Sequence, residues 1–221
     1  MSNYTSFPKD ALAFLTELKA NNRKDWFAAQ KPRYEAAIKL PAQAFTDAVC
    51  FRMKAMTDRD WQAKIFRIYR DVRFSKDKTP YNAHLHILFR EEGRSAGLFF
   101  GLRPNELVLG AGVFKFDDVQ LPAYRASVAG PKGAELADLV TNYQSAGLRL
   151  NEPPLKRVPK GFPADHPRAD LLKRKGFALW QDRPDPEIML TPDGIQTCFD
   201  TWDHMSALRM WMNTNIPPEK T

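Results

Sequence analysis

Cysteine is scarce: two in 221 residues, Cys50 and Cys198, far apart and each set among helix-spaced apolar residues. That excludes a disulfide-stapled miniprotein and reads as two reduced, buried thiols. Long hydrophobic runs are missing as well, since nothing approaches the ~18 uninterrupted apolar residues of a membrane helix. Met1-Ser2-Asn3-Tyr4-Thr5-Ser6 carries neither a basic lead nor an apolar stretch, so no secretory signal is expected. The expectation is a soluble cytoplasmic protein with no membrane partner. Nucleotide and hydrolase signatures are absent too. Gly110-x-Gly112 lacks a third glycine and a following helix start, and there is no Walker loop, Gly-x-Ser-x-Gly elbow or zinc-ribbon spacing. No cofactor is expected. Internal repeats, low-complexity tracts and a clear linker are also lacking.

What is present suffices for a core: hydrophobic residues make up 43% and charged residues 27%, which excludes disorder. The charge is uneven. Lys+Arg number 33 and Asp+Glu 26, net +7, and two segments hold all of the excess. Between positions 64 and 78, Lys64, Arg67, Arg70, Arg73, Lys76 and Lys78 meet only Asp71 and Asp77. Between 156 and 175, Lys156, Arg157, Lys160, Arg168, Lys173, Arg174 and Lys175 meet only Asp165 and Asp170. Such segments attract anionic partners, either phosphate-bearing metabolites or nucleic acid.

Along the chain, Ala11, Leu12, Phe14, Leu15 and Leu18 recur at helix spacing after Pro8, and Asn21-Asn22 ends the pattern. Asn22 is placed to cap a second helix, with Asp25 in its first turn. Pro32 and Pro41 are expected to begin new short helices, the third carrying Phe45, Ala48, Val49, Met53 and Met56 on its buried face. From Lys64 the period becomes 2, giving strands near 65–74, 83–90, 97–103 and 106–114. Their short connections require an antiparallel meander. Helices follow at 121–129 and 132–146, then an irregular proline-rich stretch at 151–167 and a short helix near 170–175. Two later strands are expected at 177–181 and 187–190. A last helix is capped by Thr191, with Ile195, Cys198, Phe199, Trp202 and Met205 buried. The fold class is α+β: an antiparallel sheet of a four-strand meander plus two later strands, with helices packed mainly on one side. Residues 1–221 form one domain, with a helical part at 7–58, a sheet at 64–114 and a mixed part at 118–214.

Alternation over 65–74 places Arg67, Tyr69, Asp71 and Arg73 on one strand face, and His84, His86 and Arg90 on the matching face of the next. Gly97, Gly101, Gly110 and Gly112 in the following strands mark a close approach, by a packed helix or by a ligand. The connecting segment adds Ser75, Lys76, Lys78 and Tyr81, stiffened by Pro80. Converging cations, hydroxyls and a tyrosine suit a phosphate or carboxylate through charge-assisted hydrogen bonds. The ligand-binding candidates are Arg67, Tyr69, Asp71, Arg73, Ser75, Lys76, Lys78, Tyr81 and His84.

The run from Arg67 to Tyr81 (Arg-Ile-Tyr-Arg-Asp-Val-Arg-Phe-Ser-Lys-Asp-Lys-Thr-Pro-Tyr) resembles the signature of the DUF2461 family. Asn21-Asn22, Trp26-Phe27, Tyr34, Gly97-Leu98-Phe99-Phe100 and His166-Pro167 are similar to that family's pattern, and Asn82 stands where similar sequences often carry lysine. The resemblance spans nearly the whole chain. It implies a small, bacterial-type cytosolic domain and brings no activity, cofactor or catalytic residue with it.

Three functions compete on the residues alone. One is a site for a small anionic ligand, with or without turnover. A second is nucleic-acid binding through the two basic segments, with Tyr69, Tyr81 or Trp180 available to stack. The third is a protein-interaction domain in which the Arg/Asp cluster is purely structural. His84-x-His86 has metal-chelating spacing but no third ligand beyond Asp71, and the arginines repel a cation, so no metal is expected. Asp71 and Asp77, beside arginines, are poor proton acceptors. Tyr69 and Tyr81 are better proton donors, and no catalytic residue is assigned.

Overall fold

Ala11, Leu12, Phe14, Leu15 and Leu18 are the buried face of α1 (Asp10–Ala20) in a computed structural model that describes residues 4–219. α2 (Lys24–Tyr34) runs through a π-helical turn at Glu35–Lys39 into α3 (Leu40–Thr57). Pro32 therefore does not begin a helix; it lies inside α2. The wide turn accommodates Pro41. The Leu40 N–H reaches back five residues to the Glu35 carbonyl, and the donor that proline lacks falls in the first turn of α3, where none is needed. Asn22 caps nothing, because its side chain bonds elsewhere in the fold. On α3, Phe45, Val49 and Met53 are buried as expected, but Met56 is 61% exposed.

The strands are β1 (Trp61–Ile65), β2 (Leu85–Glu91), β3 (Gly97–Arg103), β4 (Glu106–Val113), β5 (Arg149–Leu150) and β6 (Phe177–Arg183). They form one antiparallel sheet in the order β1-β2-β3-β4-β6-β5, which with the helices makes an α+β fold. The meander is as the short turns require. Its first strand is not: β1 ends at Ile65, and residues 66–80 are irregular. Only one bridge, Tyr69 with Tyr81, continues the pairing. The reason is local. Asp71 Oδ1 accepts the Arg73 N–H at 3.2 Å and Asp77 Oδ1 accepts the Thr79 N–H at 2.9 Å, so side-chain turns capture donors that a ladder would need. The expected strand at 187–190 is instead a 3-10 helix (Pro186–Leu190), opened by its proline, and the short β5 takes the remaining place in the sheet. α4 (Gln120–Ala129), α5 (Lys132–Ser145) and α6 (Ala169–Leu172) follow the periodicity, and the last helical stretch divides into α7 (Gly194–His204) and α8 (Ser206–Asn215). Among the described residues, no helix is long and apolar enough to cross a membrane.

Contacts group the chain into two units. Among the described residues, the first comprises 4–89, 99–109 and 182–200. Its centre is aromatic: Phe45 packs on Phe100 at 4.8 Å, Phe7 at 5.7 Å and Phe89 at 6.0 Å between ring centroids. Arg33 ties α2 to α1 by gripping Asp10 and Glu17 together, at 2.6 and 2.7 Å. Gly101 on β3 lies under the His86 ring, so the glycine accommodates a histidine of this same unit.

Among the described residues, the second unit comprises 90–98, 110–181 and 201–219. Tyr124 is fully buried, stacks on Phe116 at 4.5 Å and donates to the Leu171 carbonyl at 3.0 Å. The Arg168 guanidinium bonds the Val128, Ala129 and Gly130 carbonyls, satisfying the end of α4. Gly110 and Gly112 lie against the β6 backbone at Leu179 and Phe177, which explains both glycines without a ligand or a covering helix.

Candidate functional site

The predicted ligand residues fall in the first unit, on the irregular segment 66–81 and, for His84, just before β2. They do not share a strand face, because 66–80 is not a strand. Each proposed charge has a definite position. Arg73 grips Asp71 with two nitrogens, Nε to Oδ1 at 2.9 Å and Nη2 to Oδ2 at 2.6 Å. Arg70 donates through Nη1 to Asp77 Oδ2 at 2.6 Å, to the Thr79 carbonyl at 3.1 Å and to the Thr79 hydroxyl. Lys78 Nζ donates to the Val72 carbonyl at 2.9 Å and holds the loop closed. Ser75 is half-buried, its N–H bonded to the Val72 carbonyl at 3.3 Å.

Arg67 and Lys76 are exposed and make no ion pair among the described residues, although the Arg67 charge reaches Asp71. Asp71 and Asp77 are the only carboxylates between positions 64 and 84. The Arg73 guanidinium, then its backbone N–H, hold Asp71 below the usual carboxylate range. The Thr79 N–H, then the Arg70 guanidinium, bring Asp77 to about 2. Both acids are thus fully ionised and already committed near neutrality.

An aromatic cluster supports this loop from beneath. Tyr81 is buried, stacked on Phe27 at 4.2 Å, and Tyr69 lies 5.3 Å from Tyr81 and 6.0 Å from Phe27. Tyr34 completes the ring contacts at 5.3 Å from Phe27. Burial, then the neighbouring Tyr69, push the Tyr81 phenol up, and the same two causes act on Tyr34, so both remain protonated donors at neutral pH. Tyr69 itself is 59% exposed, with Phe74 at 97% and Phe66 at 45%. The Arg73 guanidinium lies 6.0 Å from the Phe74 ring and Lys64 Nζ 5.4 Å from Phe66.

His84 and His86 do share a face, as their spacing requires, and stack ring on ring at 3.9 Å. Burial, then Arg103 and Arg70, lower His84 to about 4. Burial, then His84 and Arg103, lower His86 to about 4. Neutral imidazoles beside guanidinium groups offer a hydrogen-bonding wall rather than more positive charge. Among the described residues, no three of His, Cys, Asp and Glu gather as a metal ion would require.

Sequence reasoning missed four contributors. Asn22 pins Tyr81 from a helix entry, Asn82 Nδ2 bonds the Arg67 carbonyl at 3.3 Å, and Arg103 faces the histidines while bonded to Glu106 Oε2 at 2.6 Å. The sequence places His86 on the matching strand face and in a chelating pair with His84, but not in the ligand site. Gly101 opposite His86 was the readable signal for its ring, a small residue making room for a large one across two adjacent strands.

An antiparallel α+β fold carrying a basic loop pinned by its own aspartates defines the class. Residues 10–211 match the family model described as Conserved hypothetical protein (DUF2461), and the chain belongs to that family. No curated protein matches it.

Proposed function

We propose that the 66–81 loop binds a small anionic ligand bearing phosphate or carboxylate, contacted by Arg67 and Lys76, with Arg73, Ser75 and Lys78 shaping the loop and Tyr69 packing on the ligand. One observation carries this reading. Both local carboxylates are bonded by Arg70 and Arg73, leaving Arg67 and Lys76 exposed with no ion pair of their own among the described residues. Asp71 and Tyr81 serve as supports, and His84 lends a neutral face. Two free thiols, both with pKa values raised chiefly by burial (Cys50 to about 11), favour a reducing, cytoplasmic setting. The test is a melting-temperature screen against phosphorylated and carboxylated metabolites. At least one anion should stabilise the native protein and lose its effect in Arg67→Ala/Lys76→Ala. A broad panel that stabilises nothing overturns the reading.

Single-stranded nucleic acid is the second reading, favoured by the exposure of Phe66, Tyr69 and Phe74 between cations. Bases stack on such rings while the backbone meets the charges. Fluorescence anisotropy with a labelled oligothymidylate should show affinity falling steeply with salt and weakening in Phe74→Ala. Absence of binding at low salt excludes it.

A further inference from the structure

The second unit contains a physical anomaly at Arg174. Only 7% of this residue is exposed, so its guanidinium is removed from water. Nη1 donates to the Asn151 carbonyl, and the guanidinium carbon lies 5.7 Å from the Phe177 ring centre. Nε is buried with no hydrogen-bond partner, and no carboxylate pairs with the group among the described residues. Burying a charge is costly, and the fold's direct contacts in return are a carbonyl and an aromatic face; the Asp170 and Glu152 charges act on the guanidinium without forming an ion pair with it.

Arg174 lines a cavity of about 340 Å³ lying wholly within this unit. Lys115 and Lys175, both exposed, belong to the same wall. Aromatic surface makes up much of the rest: Phe114 is 72% exposed, and Trp180 carries the Arg149 guanidinium 6.0 Å from its ring centre. Gly176 brings the Phe114 backbone so close that an added Cβ would collide with the Phe114 carbonyl, fixing the wall's shape. The volume is at the lower end for small-ligand sites, which run from ~300 to 1,000 Å³.

We infer that this cavity is an anion site for a small aromatic oxyanion, a carboxylate or phosphate carried on a planar ring. The oxyanion pairs with Arg174 and draws on Lys115 and Lys175, while the ring packs against Phe114 and Trp180. Glu152 at the wall disfavours a second negative charge at its end and accepts a ligand N–H or hydroxyl there. The site is separate from the 66–81 loop and does not depend on it.

The test uses the full chain with phenyl phosphate, benzoate and inorganic phosphate as probes, read by calorimetric titration and melting temperature. Phenyl phosphate or benzoate should bind and stabilise, with inorganic phosphate weaker because it lacks the ring. Arg174→Met removes the buried charge while keeping much of the volume, so the variant should fold without loss of melting temperature and lose the binding. Should that variant fail to fold, Lys115→Ala/Lys175→Ala decides, because these exposed lysines spare the core and their loss should weaken binding by about tenfold. Arg67→Ala/Lys76→Ala should bind these probes as the native protein does. Absence of binding by all three probes overturns the inference. So does binding that survives Arg174→Met, that is untouched by the double lysine variant, or that vanishes with Arg67 and Lys76 instead.

Discussion

Asn22 and Tyr81, 59 residues apart, pair as two strands would: Asn22 Nδ2 donates to the Tyr81 carbonyl at 2.8 Å and the Tyr81 N–H donates to Asn22 Oδ1 at 3.0 Å. One side-chain amide thus satisfies both backbone groups of a residue whose opposite neighbour in the chain is the Tyr69 bridge. Asn22→Ala leaves both groups unpaired and should cost about 1–3 kcal/mol in urea unfolding. Asn22→Asp should also destabilise, since a carboxylate accepts the N–H but repels the carbonyl. An unchanged urea midpoint in both variants contradicts this role.

The stacked histidines set a pH dependence. Their folded pKa values near 4 lie below the ordinary 6.5, so between those values the unfolded chain binds protons that the folded chain refuses. Their contribution is fully present above pH 6.5 and disappears as pH falls to about 4. The urea midpoint should decline through that window, and more shallowly in His84→Gln/His86→Gln. Asp77, lowered from 3.8 to about 2, contributes stability that is lost only at still lower pH. A midpoint that rises from pH 6.5 to 4 refutes the assignment.

Loop order depends on Asp77, which receives the Thr79 N–H, the Thr79 hydroxyl and the Arg70 guanidinium. Asp77→Asn keeps the shape but removes the charge that holds Arg70. Amide exchange across 70–79 should accelerate while that of the α1 and α3 cores stays unchanged. Equal rates in variant and native protein argue that Lys78 and the Tyr69 bridge hold the loop alone.

Gly112 and Gly93 separate steric demand from backbone strain. Gly112 has φ +137° and its missing Cβ would collide with the Phe177 carbonyl, whereas Gly93 has φ +69° and open space around it. Gly93→Ala should cost about 1–2 kcal/mol, the left-handed penalty alone. Gly112→Ala should cost at least about 2 kcal/mol more than that, through collision with β6. Chemical denaturation of the two variants side by side gives the comparison, and equal losses would remove the steric argument.

Periodicity made the apolar faces of α1 and α3, the β2–β4 meander and the shared face of His84 and His86 legible, because each depends on residues a few positions apart. It failed at 66–80. Alternating polar and apolar residues there look like a strand, yet β1 ends at Ile65, the Tyr69–Tyr81 bridge carries the pairing beyond it, and Asp71 and Asp77 take the Arg73 and Thr79 N–H groups. Pro32 misled as well: it reads as a helix start, yet α2 runs through it and into the π-helical turn at Glu35–Lys39.

The sequence alone determined where charge accumulates and which faces are apolar, since composition and spacing are local properties carried by the chain in any conformation. Only the tertiary structure decided which charges find partners. It gave Asp71 to Arg73 and Asp77 to Arg70, left Arg67 and Lys76 in water, and buried Arg174 beside a carbonyl and an aromatic ring with no carboxylate paired to it among the described residues. Pairing and desolvation depend on distances across the fold, and positions in a sequence do not contain those distances.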